Sequence, residues 1–280
     1  MMKRKGWGVL ASAAILFAGY QSLAQNPPPG AAMPSAAGAP VMPSGRTMGD
    51  PYLGGAPDDS VLLSPPPPPA DSVAEARDVM ASQAALRVRG TPRWTLATAD
   101  ADLSPGRAAA AFSCAAGVAL GGTATPATDH LLQRAMADLG MSTAVIKRTY
   151  KRPRPFMVNG QPTCTPDWEP RLRQDGSYPS GHSAIGYGIG LILAELLPER
   201  ASRLVARGRA FGDSRRICNV HWLSDTEEGR VAAAATLARL HADPAFRKDI
   251  EAARKELARA APPPAAVSCA SEEAALADGH

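Results

Sequence analysis

Three residues in the stretch from Ser214 to Asp225 have the types and spacing needed to attack an anion. His221 and Asp225 are four residues apart, so on a helix they would share one face. A carboxylate beside an imidazole fixes the tautomer of the ring and leaves its other nitrogen free to attack. Arg215 lies six residues before the histidine and can hold an anion through two oxygens. The stretch therefore predicts a histidine nucleophile, oriented by an aspartate, for an anionic substrate.

Two more basic residues, Lys147 and Arg154, occur earlier in the chain in a stretch that ends at Pro155. With Arg215 they supply three positive charges, and phosphoryl transfer needs such fixed donors around the equatorial oxygens. Taken singly, Lys147 is typical of a solvated helix surface and Arg154-Pro155 of a loop. Their occurrence in order with the histidine stretch is what predicts a phosphate site.

A third stretch, Ser180-Gly181-His182, begins a predicted helix and adds a second histidine. Free backbone N–H groups at a helix start favour an anion, and Gly181 lets the backbone approach it closely. We assign His182 to protonate the leaving alcohol and then to activate water. Three cations and a helix terminus supply the charge stabilisation that a divalent ion would otherwise give, so we predict neither a metal nor another cofactor.

Helix start signals recur from residue 71 onward, where a capping residue precedes a proline or an apolar stretch. An apolar stripe on the first helix, formed by Val73, Ala76, Val79, Met80 and Ala84, predicts the face that packs on the core. No alternating pattern typical of strands is found, so the predicted class is all-α. Helices are predicted at about 71–86, 91–99, 104–119, 125–140, 142–151, 180–197, 198–213, 223–241 and 243–260.

The stretch from Ser180 to Leu197 is apolar on most sides, which predicts a buried central helix. Before this helix, the residues from Phe156 to Tyr178, which follow Pro155, are expected to form a long loop that shapes substrate preference. The predicted architecture is a single-domain helical bundle at 62–261, built around the central helix.

Both ends of the chain differ from this domain in composition. Residues 1–24 have a basic start, an apolar stretch and a small-residue cleavage site, which predicts a signal peptide, export and a periplasmic location. Residues 25–61 are rich in Pro, Gly and Ala and are predicted to be disordered, and residues 262–280 to form a flexible tail.

The charge of the chain gives no support for nucleic-acid or stable membrane partners. The formal net charge is +4, and removal of residues 1–24 takes away Lys3, Arg4 and Lys5, which leaves about +1. The four cysteines (Cys114, Cys164, Cys218 and Cys269) permit disulfides in an exported protein, and the sequence leaves all three pairings open. No CxxC spacing occurs, which argues against a zinc site.

Together, Lys147 to Pro155, Pro179 to His182 and Ser214 to Asp225 resemble the three-part signature of a known superfamily. It joins type 2 phosphatidic acid phosphatases and vanadium-dependent haloperoxidases. The context Gly176 to His182, and the proline run Pro65 to Pro69, are similar to its exported bacterial members, the class A nonspecific acid phosphatases. Position 183 is serine where that subfamily usually has threonine.

The resemblance implies an all-helical bundle that hydrolyses phosphomonoesters, including nucleotides, with an acidic optimum. It also implies that His221 is the nucleophile, that His182 is the acid, and that Ser180 and Gly181 contact the phosphate. Members are often homo-oligomers, and vanadate is an expected inhibitor.

Other functions use the same residues. In a vanadium haloperoxidase His221 would ligate vanadate, and a soluble lipid or pyrophosphate phosphatase would share the pocket. A phosphate-binding protein without turnover, or a surface-interaction module at the amino terminus, would not need His182 together with the His221–Asp225 pair. The compact chain and the residues before Pro179 favour the phosphatase.

Overall fold

The computed structural model describes residues 49–55 and 58–277, and the fold is reported for those residues. They contain α-helices and short 3-10 turns but no strand, so the predicted all-α class is confirmed. The predicted signal peptide lies outside the described residues, as does most of the segment predicted to be disordered. The α-helices of the described ranges are α1 (Val73–Leu86), α2 (Pro92–Ala99), α3 (Arg107–Ala110), α4 (Ser113–Ala116), α5 (Pro126–Met141), α6 (Ala144–Tyr150), α7 (Pro155–Asn159), α8 (Glu169–Leu172), α9 (Gly181–Leu196), α10 (Ala201–Ile217), α11 (Leu223–Leu240), α12 (Pro244–Leu257) and α13 (Cys269–Ala277).

Several helices begin at the residues that the sequence predicts, because a side chain there caps the first turn. The Oγ atoms of Ser72 and Thr91 accept hydrogen bonds from backbone N–H groups three residues later, at the starts of α1 and α2. Ser180 does the same for α9, and Asp243 for α12. The capping signals therefore predicted where these helices begin.

Two predicted helices differ from the structure. The one expected over 104–119 is split into α3 and α4 by a turn at Ala111 and Phe112, and the ring of Phe112 is buried in the core. The helix expected over 198–213 instead begins as a 3-10 turn, Pro198–Arg200, and continues as α10 to Ile217. This extension places Ser214 and Arg215 on a helix.

The predicted buried face of α1 is wrong. Val73 and Met80, two members of the apolar stripe, are 89% and 62% exposed, whereas Asp78 is buried. The polar face turns inward because Asp78 accepts hydrogen bonds from Arg152 and Ser224, which lie next to the predicted nucleophile. Partners for a carboxylate, rather than apolar periodicity, set the orientation of this helix.

Helix α9 is buried as predicted and packs against α5, α10 and α11. Its closest approach to α10 depends on glycines: a Cβ added to Gly190 would lie 2.7 Å from the carbonyl oxygen of Leu204. Bulkier residues would separate the two helices. The crossing fixes the first turn of α9, which carries His182, beside the last turns of α10, which carry Arg215.

Ordered structure extends beyond the predicted domain at both ends. At 49–55, within the segment predicted to be disordered, Tyr52 N–H donates to Asp138 at 2.8 Å and Tyr52 OH donates to Asp249 at 2.7 Å. At the other end, the tail predicted to be flexible contains α13. Glu272 of this helix pairs with Arg207 of α10 at 2.9 Å. Both segments are ordered because their polar groups find partners on the helical bundle.

Two disulfides resolve the pairing that the sequence left open. Cys114 is bonded to Cys269, which fastens α13 next to α4, and Cys164 is bonded to Cys218 at the end of α10. Among the described residues no helix is both long and apolar enough to cross a bilayer.

Candidate active site

His221 lies in the turn between α10 and α11, where two local features point its ring at Asp225. Asn219 adopts a left-handed conformation with φ 59°, which turns the chain after α10. Asp225 sits in the first turn of α11 and accepts from the N–H of Trp222 at 2.8 Å. The histidine therefore precedes the helix instead of sharing a helical face with Asp225, yet Nδ1 of His221 lies 3.3 Å from Asp225 Oδ2.

This contact sets the tautomer of His221. An ionised carboxylate can only accept, so Nδ1 carries the proton and Nε2 carries the lone pair. Nε2 lies 3.0 Å from a terminal nitrogen of Arg154, which can donate to it. His221 is 4% exposed. The ring is thus a neutral, buried base whose reactive nitrogen faces a cation.

The three predicted cations lie around this ring or close to it. Arg154 is held by backbone carbonyls, including those of Leu172 at 2.9 Å and Val220 at 3.0 Å, and by the Asp175 carboxylate at 3.1 Å. Lys147 lies 3.4 Å from Asp175 and donates to the carbonyl of Gly176. The loop before α9 therefore positions both side chains.

Arg215 is fully buried, and its Nε and one terminal nitrogen have no acceptor in the part of the chain that the structure describes. Burial, followed by repulsion from Arg154, lowers the pKa of Arg215 to about 9. The same two causes lower the pKa of Lys147 to about 8. A buried donor without a partner is costly, so the site favours a ligand with several acceptor oxygens and negative charge.

His182 follows the start of α9, where the first backbone N–H groups have no partner within the helix. Its Nε2 lies 3.1 Å from the carbonyl oxygen of Ala101, to which it donates, so Nδ1 is the nitrogen left for chemistry. Burial, and next Arg215, hold the pKa of His182 well below its usual value. Burial and then Arg154 do the same for the pKa of His221.

Ser180 and Gly181 are in the predicted place, at the start of α9. The N–H of Ser180 is used by the carbonyl of Asp225 at 2.8 Å, which joins this helix start to the His221 turn. The Oγ of Ser180 accepts from the N–H and the hydroxyl of Ser183. Among the described residues, neither its own hydroxyl proton nor the N–H of Gly181 has an acceptor, so both can donate to a ligand.

Two polar residues of the site were missed by the sequence analysis. Arg152 donates to Asp225 at 2.7 Å and to Asp78 at 2.7 Å, and Ser224 donates to Asp78 through its N–H at 2.8 Å. Burial raises the pKa of Asp225, and Arg152 and the Trp222 N–H act against this. The sequence feature that could have indicated Arg152 is its position two residues before Arg154 in the stretch Arg152-Pro153-Arg154-Pro155.

Comparison with known proteins identifies the class. The PAP2 superfamily matches residues 130–249, a range that holds every residue of the site from Lys147 to Asp225. The chain is 39% identical to an acid phosphatase of Zymomonas mobilis over 202 residues, which is 72% of this chain and 76% of that protein. It is 43% identical to a non-specific acid phosphatase of Salmonella typhimurium over 171 residues, 61% of this chain and 68% of the relative.

A non-specific acid phosphatase of Providencia stuartii is 39% identical over 173 residues, 61% of this chain and 70% of that protein. The chain belongs to the PAP2 superfamily and, within it, to the class A nonspecific acid phosphatases. It is an enzyme, an acid phosphatase. The resemblance found from the three motifs is therefore confirmed.

Proposed function

We propose that this acid phosphatase hydrolyses phosphate monoesters through a phosphohistidine intermediate formed on Nε2 of His221. The observation that carries the proposal is the ring's placement: Nδ1 faces Asp225 at 3.3 Å, while Nε2 faces Arg154 among buried cations. In the first step the Nε2 lone pair attacks phosphorus, and the bond from phosphorus to the leaving oxygen breaks. Nδ1 of His182 gives that oxygen a proton.

The second step returns the enzyme to its starting state. Once His182 has lost its proton, Nδ1 accepts one from water, and the water oxygen attacks phosphorus. The P–N bond breaks, which releases phosphate and restores the lone pair on His221. Between the two steps, Asp225 stabilises the cationic, phosphorylated ring of His221, because its carboxylate stays beside Nδ1–H.

Charge on the transferring group would be met by Lys147, Arg154 and Arg215, together with the start of α9 at Ser180 and Gly181. The free donors of Arg215 support its role, because they have no acceptor elsewhere among the described residues. A bound dianion also raises the pKa of both histidines, and this is how His182 gains the proton it donates. We propose that these groups make a metal unnecessary.

The substrates we propose are small phosphomonoesters, nucleotides among them, and the compartment is the periplasm. Two disulfides in the described part of the chain are compatible with an oxidising compartment. We also propose a signal peptide at 1–24 and a catalytic domain at 62–261.

To test the mechanism, the enzyme is mixed with labelled substrate in the presence of EDTA, and the reaction is stopped rapidly without acid. The wild type should accumulate an acid-labile phosphoenzyme, and His221→Ala should lose both this species and turnover. His130→Ala is the matched control, since that histidine is a mostly exposed residue of α5. A phosphoenzyme that persists in His221→Ala would show that another residue is the nucleophile, and activity that requires added metal would refute the metal-free mechanism.

A further inference from the structure

A second group of charged residues is buried behind the site, and its centre is Asp100, the residue that ends α2. Its carboxylate accepts from both terminal nitrogens of Arg207, at 3.1 and 2.6 Å, and from the hydroxyl of Ser214 at 2.6 Å. Arg93 donates to the same hydroxyl at 3.0 Å. Asp100 is 1% exposed. Every contact named here joins α2 to α10.

The backbone next to Asp100 touches the proposed acid. Ala101 follows it directly, is 1% exposed, and presents the carbonyl oxygen that accepts from His182 Nε2 at 3.1 Å. Ser214, which donates to Asp100, immediately precedes Arg215. One carboxylate thus holds both the carbonyl that contacts His182 and the helix turn that carries a phosphate-binding arginine.

The carbonyl of Ala101 decides which nitrogen of His182 is chemically active. Because a carbonyl only accepts, Nε2 keeps its proton and Nδ1 is the nitrogen that exchanges one. A shift of Ala101 by a fraction of a hydrogen-bond length would release the ring to rotate or to change tautomer. We propose that Asp100 is a positioning residue that keeps the Ala101 carbonyl against His182 and so holds the proposed acid–base histidine in one orientation and tautomer.

The carboxyl-terminal helix completes this arrangement. Nε of Arg207 donates to Glu272 of α13 at 2.9 Å and to the carbonyl of Ala111 at 3.1 Å, so that its terminal nitrogens are directed at Asp100. The disulfide between Cys114 and Cys269 fastens the start of α13 three residues before Glu272. The proposal therefore extends to Glu272, which holds Arg207 in the position that Asp100 requires.

This proposal rests on the acid role given to His182 under Proposed function. Comparing two substrates tests that acid role separately from the positioning role of Asp100. p-Nitrophenyl phosphate has a good leaving group that needs little protonation, whereas glycerol phosphate has a poor one that depends on the acid. General acid catalysis contributes roughly 10²- to 10⁴-fold. His182→Ala should therefore lose far more kcat on glycerol phosphate than on p-nitrophenyl phosphate.

Asp100→Asn should show the same selective loss in weaker form. We expect kcat on glycerol phosphate to fall about 30- to 100-fold and kcat on p-nitrophenyl phosphate only about 3-fold, a part of the full acid contribution. The matched control is Asp213→Asn, which removes the carboxylate one residue before Ser214, where the partners are Arg216 and Arg230. It should leave the ratio of the two kcat values unchanged.

Glu272→Gln tests the same role if Asp100→Asn fails to fold, and Glu273→Gln is its control, because Glu273 pairs with the exposed Arg203. Glu272→Gln should lower the glycerol phosphate kcat about 5-fold more than the p-nitrophenyl phosphate kcat, and Glu273→Gln should not. If His182→Ala shows no leaving-group selectivity, the acid assignment falls and this proposal with it. If it does, but the Asp100 and Glu272 variants lower both substrates equally, the positioning role alone is overturned.

Discussion

Two buried groups of charged residues include arginines of α10, and they differ in how their charges are balanced. Behind the site, Arg207 is matched by Asp100 and Glu272. At the site, Arg215 has two nitrogens without an acceptor among the described residues, and its neighbour Arg154 is also a cation. The arginine of the first group is paired with carboxylates of the protein, whereas we propose that the second group is completed by a bound anion.

The difference is visible in proton affinity. Burial lowers the pKa of Arg207, but Asp100 and Glu272 together raise it above its usual value. At the site, burial and the adjacent Arg154 lower the pKa of Arg215 to about 9. Arg207 and Arg215, eight positions apart on one helix, can thus differ in role, depending on whether their donors are paired within the protein.

The largest expected effect comes from breaking the balanced group. Arg207→Ala leaves Asp100 buried without its main partner, so the free energy of unfolding should fall by about 3–5 kcal/mol. Chemical denaturation followed by circular dichroism measures it. Arg203→Ala, on the exposed face of α10, is the control and should change stability little. A loss below 1 kcal/mol for Arg207→Ala would contradict the view that this group is structural.

Arg215→Ala should show the opposite pattern. Loss of one donor to the transferring phosphoryl group should lower kcat by about 10²- to 10³-fold, as removal of an oxyanion donor does elsewhere. Stability should be unchanged or higher, because an unpaired buried cation is removed. Steady-state kinetics and denaturation on the same sample give both numbers. Equal destabilisation by Arg215→Ala and Arg207→Ala would remove the distinction between the groups.

A bound anion should complete the unpaired group. Phosphate or vanadate at 100 times its dissociation constant should stabilise the folded protein by about 2.7 kcal/mol, because only the folded state binds it. Thermal unfolding at increasing anion concentration measures this. The increase in stability should vanish in Arg215→Ala. An equal increase in a chloride buffer of the same ionic strength would instead indicate a general salt effect.

The smallest effect concerns the histidines. Burial and nearby arginines disfavour the imidazolium, so the pKa values of His182 and His221 in the ligand-free protein should lie well below 6.5. Because the unfolded chain then binds more protons, these residues reduce stability as the pH falls below about 6.5. Nuclear magnetic resonance of the ring nitrogens measures both pKa values, and added phosphate should raise them. A ligand-free value above 6.5 for either ring would contradict the assignment.

A candidate site could be proposed from the sequence where its residues stand in short local motifs. Lys147, Arg154, His182 and His221 were proposed because phosphate chemistry needs those residue types, and capping residues predicted the helix start that presents His182. The class of the fold followed from apolar helical patterns without strand alternation.

What could not be predicted depends on distant contacts. The apolar stripe of α1 favoured the wrong face, because the cost of burying Asp78 is offset by Arg152 and Ser224, which lie 74 and 146 residues away. Asp100 and Arg207 are 107 residues apart, and no local pattern marks them as partners. The ordered tail depends in the same way on Arg207 and on a disulfide that spans 155 residues.

The connectivity of the two disulfides has a consequence for biogenesis. The bond between Cys164 and Cys218 lies inside the loop closed by Cys114 and Cys269, so the pattern is nested. A chain that enters an oxidising compartment from its amino terminus presents Cys114 and Cys164 first, and bonding them in order of arrival gives the wrong pairs. For export of this kind, Cys114 must stay reduced until Cys269 has arrived, or a thiol catalyst must exchange its first partner. Yield of active enzyme should therefore depend on the disulfide-exchange capacity of the host.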